Sequence, residues 1–124
     1  MRKIKLRFWN KNNDTMYTVD SIDYVGDEIT VNDGFLICDE QAVLMQYTGC
    51  YIDQVSYENI DPELYEGDVL IDELTAKKYV IEFSFGAFYA CCINHEDNVV
   101  LSDFLGEEDV SKCGNIYENP ELFK

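Results

Sequence analysis

Strict alternation opens the chain: Ile4, Leu6 and Phe8 are apolar, with Lys5 and Arg7 between them. A period of two predicts a half-buried strand with a cationic outer face, and at a sheet edge those bases would discourage further pairing. Lys11-Asn12-Asn13-Asp14 predicts a turn, after which Met16 to Tyr24 continues as strand. Val25-Gly26-Asp27-Glu28 turns the chain back into Ile29-Thr30-Val31, which predicts a meander. Phe35-Leu36-Ile37 and Val43 to Tyr47 are two further apolar runs, and periodicity leaves strand and short helix both open for them.

From Thr48-Gly49 to Pro62 the pattern lapses into a polar, tyrosine-bearing stretch that carries Asp53, Glu58 and Asp61. It predicts a connecting loop of about a dozen residues. Beyond it, Val69 to Ile71, Tyr79 to Phe83, Ala87 to Ile93, Val99 to Leu101 and Val110 to Tyr117 read as short strands, with a helical turn near Ser102 to Leu105. A proline-led motif occurs twice, as Asp61-Pro62-Glu63-Leu64-Tyr65 and Asn119-Pro120-Glu121-Leu122-Phe123. In each copy Asp or Asn can cap a helical turn, proline suits its first position and glutamate faces its positive end. After the first copy, Gly67-Asp68 turns the chain into the strand at Val69. The expected fold is all-β: an N-terminal β-meander (residues 1–48), a connecting loop (49–63) and a small SH3-like β-barrel (64–124) on which the meander packs, with few short helical turns.

Composition agrees with this reading. Tyr and Phe supply nearly all the aromatic residues, and with the many Val and Ile they favour strands. Charge adds something the pattern does not contain. Residues 1–11 hold five bases and no acid, whereas the remainder holds 25 acids against four bases, for a net charge of −16. Such a surface repels nucleic acid and anionic membranes, because phosphate binding requires clustered lysine or arginine. It can serve solubility alone, or meet a basic partner. The five cysteines are odd in number, form no CxxC pair and follow no signal peptide, so they are expected to be reduced thiols of a cytoplasmic protein. The longest apolar run, Ala87 to Ile93, is far shorter than the ~20 residues of a membrane span.

One set of motifs occurs in a telling order: Lys5-Leu6-Arg7-Phe8-Trp9, Met16-Tyr17, Met45-Gln46-Tyr47-Thr48-Gly49, Tyr65-Glu66-Gly67-Asp68-Val69 and Gly114-Asn115-Ile116-Tyr117-Glu118-Asn119-Pro120-Glu121-Leu122. This series resembles the YopX family of bacteriophage and prophage proteins and covers nearly the whole chain. The resemblance implies a small β-rich protein with SH3-type folding, encoded by phages of Gram-positive bacteria, and no particular biochemical activity. The segment from Cys50 to Glu63 departs from it, being a longer, glycine-free loop where relatives carry a short hairpin. There Tyr51, Ile52 and Tyr57 are free to pack on the core or to form a contact surface of their own.

Chemistry-bearing constellations are scarce. His95 is the only histidine and lies in a polar turn, His95-Glu96-Asp97-Asn98, without a nucleophile motif beside it. Cys91 and Cys92 are adjacent on a predicted strand, so one should face the core and the other should be more exposed. No zinc spacing, calcium loop, glycine-rich phosphate loop or nucleophile elbow is present, and no cofactor is expected. Glu107-Glu108-Asp109 reads as a solvated turn.

Binding remains. SH3-like barrels hold peptides with aromatics and acids at their loop mouths, which makes Trp9, Tyr65, Tyr89 and Tyr117 candidates, with Glu66, Asp68 and Glu118 as charged rims. Tyr65 and Tyr117 can equally be corner residues whose buried rings hold strand ends together. Trp9 is either a lid over the core or an exposed anchor. The expected function is that of a non-enzymatic phage accessory protein engaging a basic host or phage protein. An enzyme whose carboxylates converge only in the fold, or a homo-oligomer with the basic first strand docked on an acidic neighbour, are the alternatives.

Overall fold

In the structure, a computed structural model, residues 4–38, 40–52, 62–107 and 109–123 are described. The chain divides into two units, Met1–Gln46 and Tyr47–Lys124.

The first unit contains β1 (Leu6–Asn10), β2 (Thr15–Thr18), β3 (Ile22–Val25), β4 (Glu28–Val31), β5 (Phe35–Ile37) and the opening half of β6 (Ala42–Tyr51). β1 lies between β2 and β6, antiparallel to both. It is therefore not an edge strand, and Arg7 is only 8 % exposed. The alternation correctly marks a strand but misplaces its bases, because a pleat shows which residues share a face and not whether that face meets water. Phe8 anchors this unit's core with Val31 and Ala42, and its ring stacks on Tyr17 (5.2 Å) and Phe35 (5.0 Å).

The expected strand from Met16 to Tyr24 is broken in two. Asn32, at φ 48°, accepts the Asp20 N–H on its Oδ1 (2.7 Å) and donates through Nδ2 to the Thr18 carbonyl (2.8 Å). One side chain more than ten residues away thus holds the corner between β2 and β3, a link with no local signal. Both ambiguous apolar runs are strands, and β3, β4 and β5 form a three-stranded antiparallel sheet.

The second unit takes up β6 at Tyr47 and adds β7 (Glu63–Tyr65), β8 (Asp68–Asp72), β9 (Lys78–Ser84), β10 (Ala87–Cys92), β11 (Asn98–Val100), α1 (Leu101–Glu107), β12 (Val110–Asn115) and a short 3-10 helix, Pro120–Phe123. Five strands form an antiparallel sheet in the order β11-β10-β9-β8-β12. A four-strand meander, a helical turn and a last strand returning beside the first make an SH3-like half-barrel in an all-β chain. α1 places Leu101 and Phe104 on one face at helical spacing. Both are buried with Leu64, Leu70, Ile81 and Ala90, and the Tyr79 ring lies 4.4 Å from Phe104.

Both ends of the expected loop lie in strands, since β6 runs on to Tyr51 and pairs there with Glu63. Ile52 packs against the core and Tyr51 is exposed. Asp53, Tyr57, Glu58 and Asp61 lie outside the described residues, as does Glu108. The two proline-led motifs also part company. Pro120 opens a helical turn, whereas Pro62 leads directly into β7, because Glu63 and Tyr65 are drawn into pairing with β6.

Candidate functional site

Five of the candidate residues gather at one corner of the second unit. There the chain leaves β7, turns at Glu66-Gly67 and enters β8. Gly67 has φ 86°, the left-handed conformation that such a turn requires. Its N–H donates to the Ile81 carbonyl (2.9 Å), and its own carbonyl accepts the Ile116 N–H (3.0 Å). Asn115, the last residue of β12, is the register partner of Asp68. The Tyr65–Asp68 turn and the Gly114–Leu122 segment, more than forty residues apart in sequence, are thus hydrogen-bonded neighbours.

Asp68 faces inward and has no exposure, so it is not a rim residue. Its Oδ2 accepts the Tyr65 N–H (2.7 Å) and lies 3.2 Å from Lys112 Nζ, which also donates to the Glu63 carbonyl (2.9 Å). A carboxylate with no water around it needs such a partner, since an unpaired buried charge costs several kcal/mol, on the order of 3 to 5. Tyr65 is buried, and its ring lies 5.4 Å from that of Tyr47.

On the other strand Asn115 organises the turn. Its Oδ1 accepts the N–H groups of Tyr117 (3.0 Å) and Glu118 (2.8 Å), and its Nδ2 donates to Glu118 Oε1 (2.7 Å). Asn119 does not cap its own helix through the side chain. Its Oδ1 reaches back to the Asn115 N–H (3.3 Å), while its carbonyl accepts from Leu122 (3.0 Å). Gly114, at φ 150°, sits where a Cβ would collide with Asn119 Oδ1. Tyr117 is half-buried and Glu118 exposed, so Glu66, Tyr117 and Glu118 are the candidates here that retain some solvent contact.

The other two candidates lie elsewhere. Trp9 is buried in β1, where it reads as core and not as an anchor. Tyr89 is half-buried in β10, opposite Glu82 and Val100. Sequence reasoning missed Lys112 and the side-chain role of Asn115. A lone lysine between Ser111 and Cys113 in a β-rich stretch was the available sign of the first. The second had none beyond its place in the closing motif.

A family model described as YopX protein matches residues 5–124. The chain belongs to the YopX family. Two solved structures are similar to it over all or nearly all of their lengths. Protein EF1440 from Enterococcus faecalis is 22% identical, with 100% of each chain covered and a TM-score of 0.60. Protein yopX from Bacillus subtilis is 19% identical, with 100% of this chain and 98% of that one covered and a TM-score of 0.58. Identities this low carry the fold alone. No curated protein matches.

In this YopX-family chain the corner is built as a joint. Its fully buried acid, Asp68, is already held by a lysine, and the N–H groups of Tyr65, Gly67, Asn115, Ile116, Tyr117 and Glu118 all have acceptors within the protein. Among the described residues no three His, Cys, Asp or Glu side chains gather where they could hold a metal ion. His95 is exposed in the turn between β10 and β11 and helps line a shallow groove of about 300 Å3 with Ala76, Lys77, Lys78, Ile93 and Asn94. Cys92 is buried and Cys91 half-buried, as adjacency on a strand requires. Burial, followed by the neighbouring Glu82 carboxylate, pushes the Cys91 thiol up to about 12, so it stays protonated and a poor nucleophile near neutral pH. No helix among the described residues is long and apolar enough to cross a membrane.

Proposed function

We propose that this protein is a non-enzymatic phage or prophage accessory protein that acts in the host cytoplasm by binding other proteins, its acidic surface meeting a basic host or phage partner. The carrying observation is where the acids of the first unit lie. Asp14, Asp20, Asp23, Asp27, Glu28, Asp33 and Glu40 are all exposed. No lysine or arginine occurs between Lys11 and Lys77 to offset them. Of the N-terminal bases among the described residues, Arg7 is buried and Lys5 half-buried, and only Lys11 is exposed. An excess of exposed acids of this kind speeds encounter with a cationic surface and disfavours nucleic acid. All five cysteines are free thiols, which suits a reducing cytoplasm.

Affinity capture from a host lysate across a salt series tests this reading. A basic protein retained at low salt and released at moderate salt is the expected result, because screening shortens the reach of surface charge. Failure to retain any salt-releasable protein would remove the electrostatic reading.

A further inference from the structure

The hairpin joining β9 and β10 breaks a local rule. Ser84 and Ala87 are register partners, so the loop has two residues, Phe85 and Gly86, at φ 49° and 80°. Positive φ at both central positions belongs to a type I′ turn, which prefers Asn-Gly because asparagine tolerates the left-handed conformation and a bulky side chain does not. Here phenylalanine holds the first position, and the residue is fully exposed. It contributes nothing to a core. Nearby, Phe83, also exposed, meets Phe88 edge-on at 5.0 Å, so two rings already fixed across the hairpin lie close to the tip. A residue that is unfavourable to the backbone and unburied in the fold is the kind that folding alone does not explain.

We propose that Phe85 is a binding anchor that inserts into an apolar pocket of a protein partner whose rim is basic. This rests on the reading above that the protein works through protein contacts, and it names an apolar contact point that charge alone does not supply. Three observations select that occupant. A protruding aromatic on a stiff two-residue hairpin has the form of an interface hot spot. The net charge of −16, with Glu82 exposed on the same hairpin, calls for positive charge around the pocket. The same charge opposes both an anionic bilayer and a second copy of the chain.

The test compares the wild type with Phe85→Asn, Phe85→Ala and Phe85→Tyr, read by thermal melting and by quantitative capture from a Gram-positive bacterial lysate. Phe85→Asn should raise Tm, by roughly 2–5 °C, because it restores the preferred turn residue. Phe85→Asn and Phe85→Ala should each lower capture of the same specific protein at least about tenfold at every salt concentration, while Phe85→Tyr retains it. A lowered Tm for Phe85→Asn would assign the ring to the fold and overturn the proposal. Salt-releasable capture that is equal in all variants would overturn it and leave the acidic-surface reading standing, whereas no capture by the wild type would overturn both. Ring-dependent binding to neutral phosphatidylcholine vesicles, or ring-dependent dimerisation in light scattering, would also overturn it.

Discussion

At the residue scale, the Tyr65–Asp68 corner depends on one buried ion pair. Asp68 and Lys112 are both almost fully buried, 3.2 Å apart, and each also engages backbone. Removing Lys112 leaves a carboxylate without its charge partner and without water, so Lys112→Met should destabilise the protein by about 3 kcal/mol or more. Removing both charges is expected to cost less than the two single changes together. Urea denaturation of Lys112→Met, Asp68→Asn and the double variant measures this coupling, and strict additivity would show that the pair is not the stabilising unit. Gly114 offers a second check. Its φ of 150° and the approach of Asn119 leave no space for a methyl group, so Gly114→Ala should lower stability by about 1–3 kcal/mol and loosen the following turn. An unchanged urea midpoint would mean that Asn119 moves aside without consequence. The sequence placed Asp68 on a rim because aspartate is ordinarily exposed. The lysine that offsets the cost of its burial lies 44 residues further on, and nothing near Asp68 in the sequence points to it.

Elements were legible where local pattern and pairing agree. In the second unit β8 to β12 were anticipated to within two residues, because turn or polar residues separate them, among them Gly67-Asp68 and the polar run before Asn98. By contrast, β7 and the end of β6 fell in the expected loop and proline-led turn. A helical turn was expected near Ser102 to Leu105, and α1 extends it to Leu101–Glu107, taking in Leu101, which the pattern had assigned to the preceding strand. In the first unit the strands were legible but their arrangement was not. Alternation identified β1 without revealing that neighbours cover both its edges, and the break after Thr18 is held by Asn32 through hydrogen bonds to a distant backbone. The proline-led repeat is instructive for the same reason. Two segments with the same local preference adopt different structures because one has a strand to pair with, and tertiary pairing overrides propensity. The candidate site was half legible: the two motifs were recognised, but their meeting was set by β12 returning to β8.

For the whole molecule, charge governs how stability should depend on pH. The neutral forms of two buried or half-buried acids are favoured by the second unit's sheet. The Tyr79 hydroxyl is pushed up to about 12, first by burial and then by Cys92 and the acids Asp72 and Asp97. The Cys91 thiol reaches about 12 through burial and Glu82. Tyr79 is the register partner of Cys92 and Cys91 that of Val80, so both groups sit on the β9–β10 pairing. For each, the folded chain holds its proton more tightly than the unfolded chain, whose values are 9.0 for the thiol and 10.0 for the phenol. Where the native state binds more protons, unfolding becomes easier as pH rises. The contribution is therefore fully present below about pH 9 and is lost as the pH climbs towards 12. Each new negative charge also joins a molecule already at −16. Urea midpoints measured at about pH 8 and about pH 11 should fall steeply for the wild type. The fall should be smaller for Tyr79→Phe and for Cys91→Ala, and smallest for the double variant, since neither replacement can ionise. Lysine deprotonation affects all four proteins alike, so an equal fall in every one would place the alkaline sensitivity outside this strand pair.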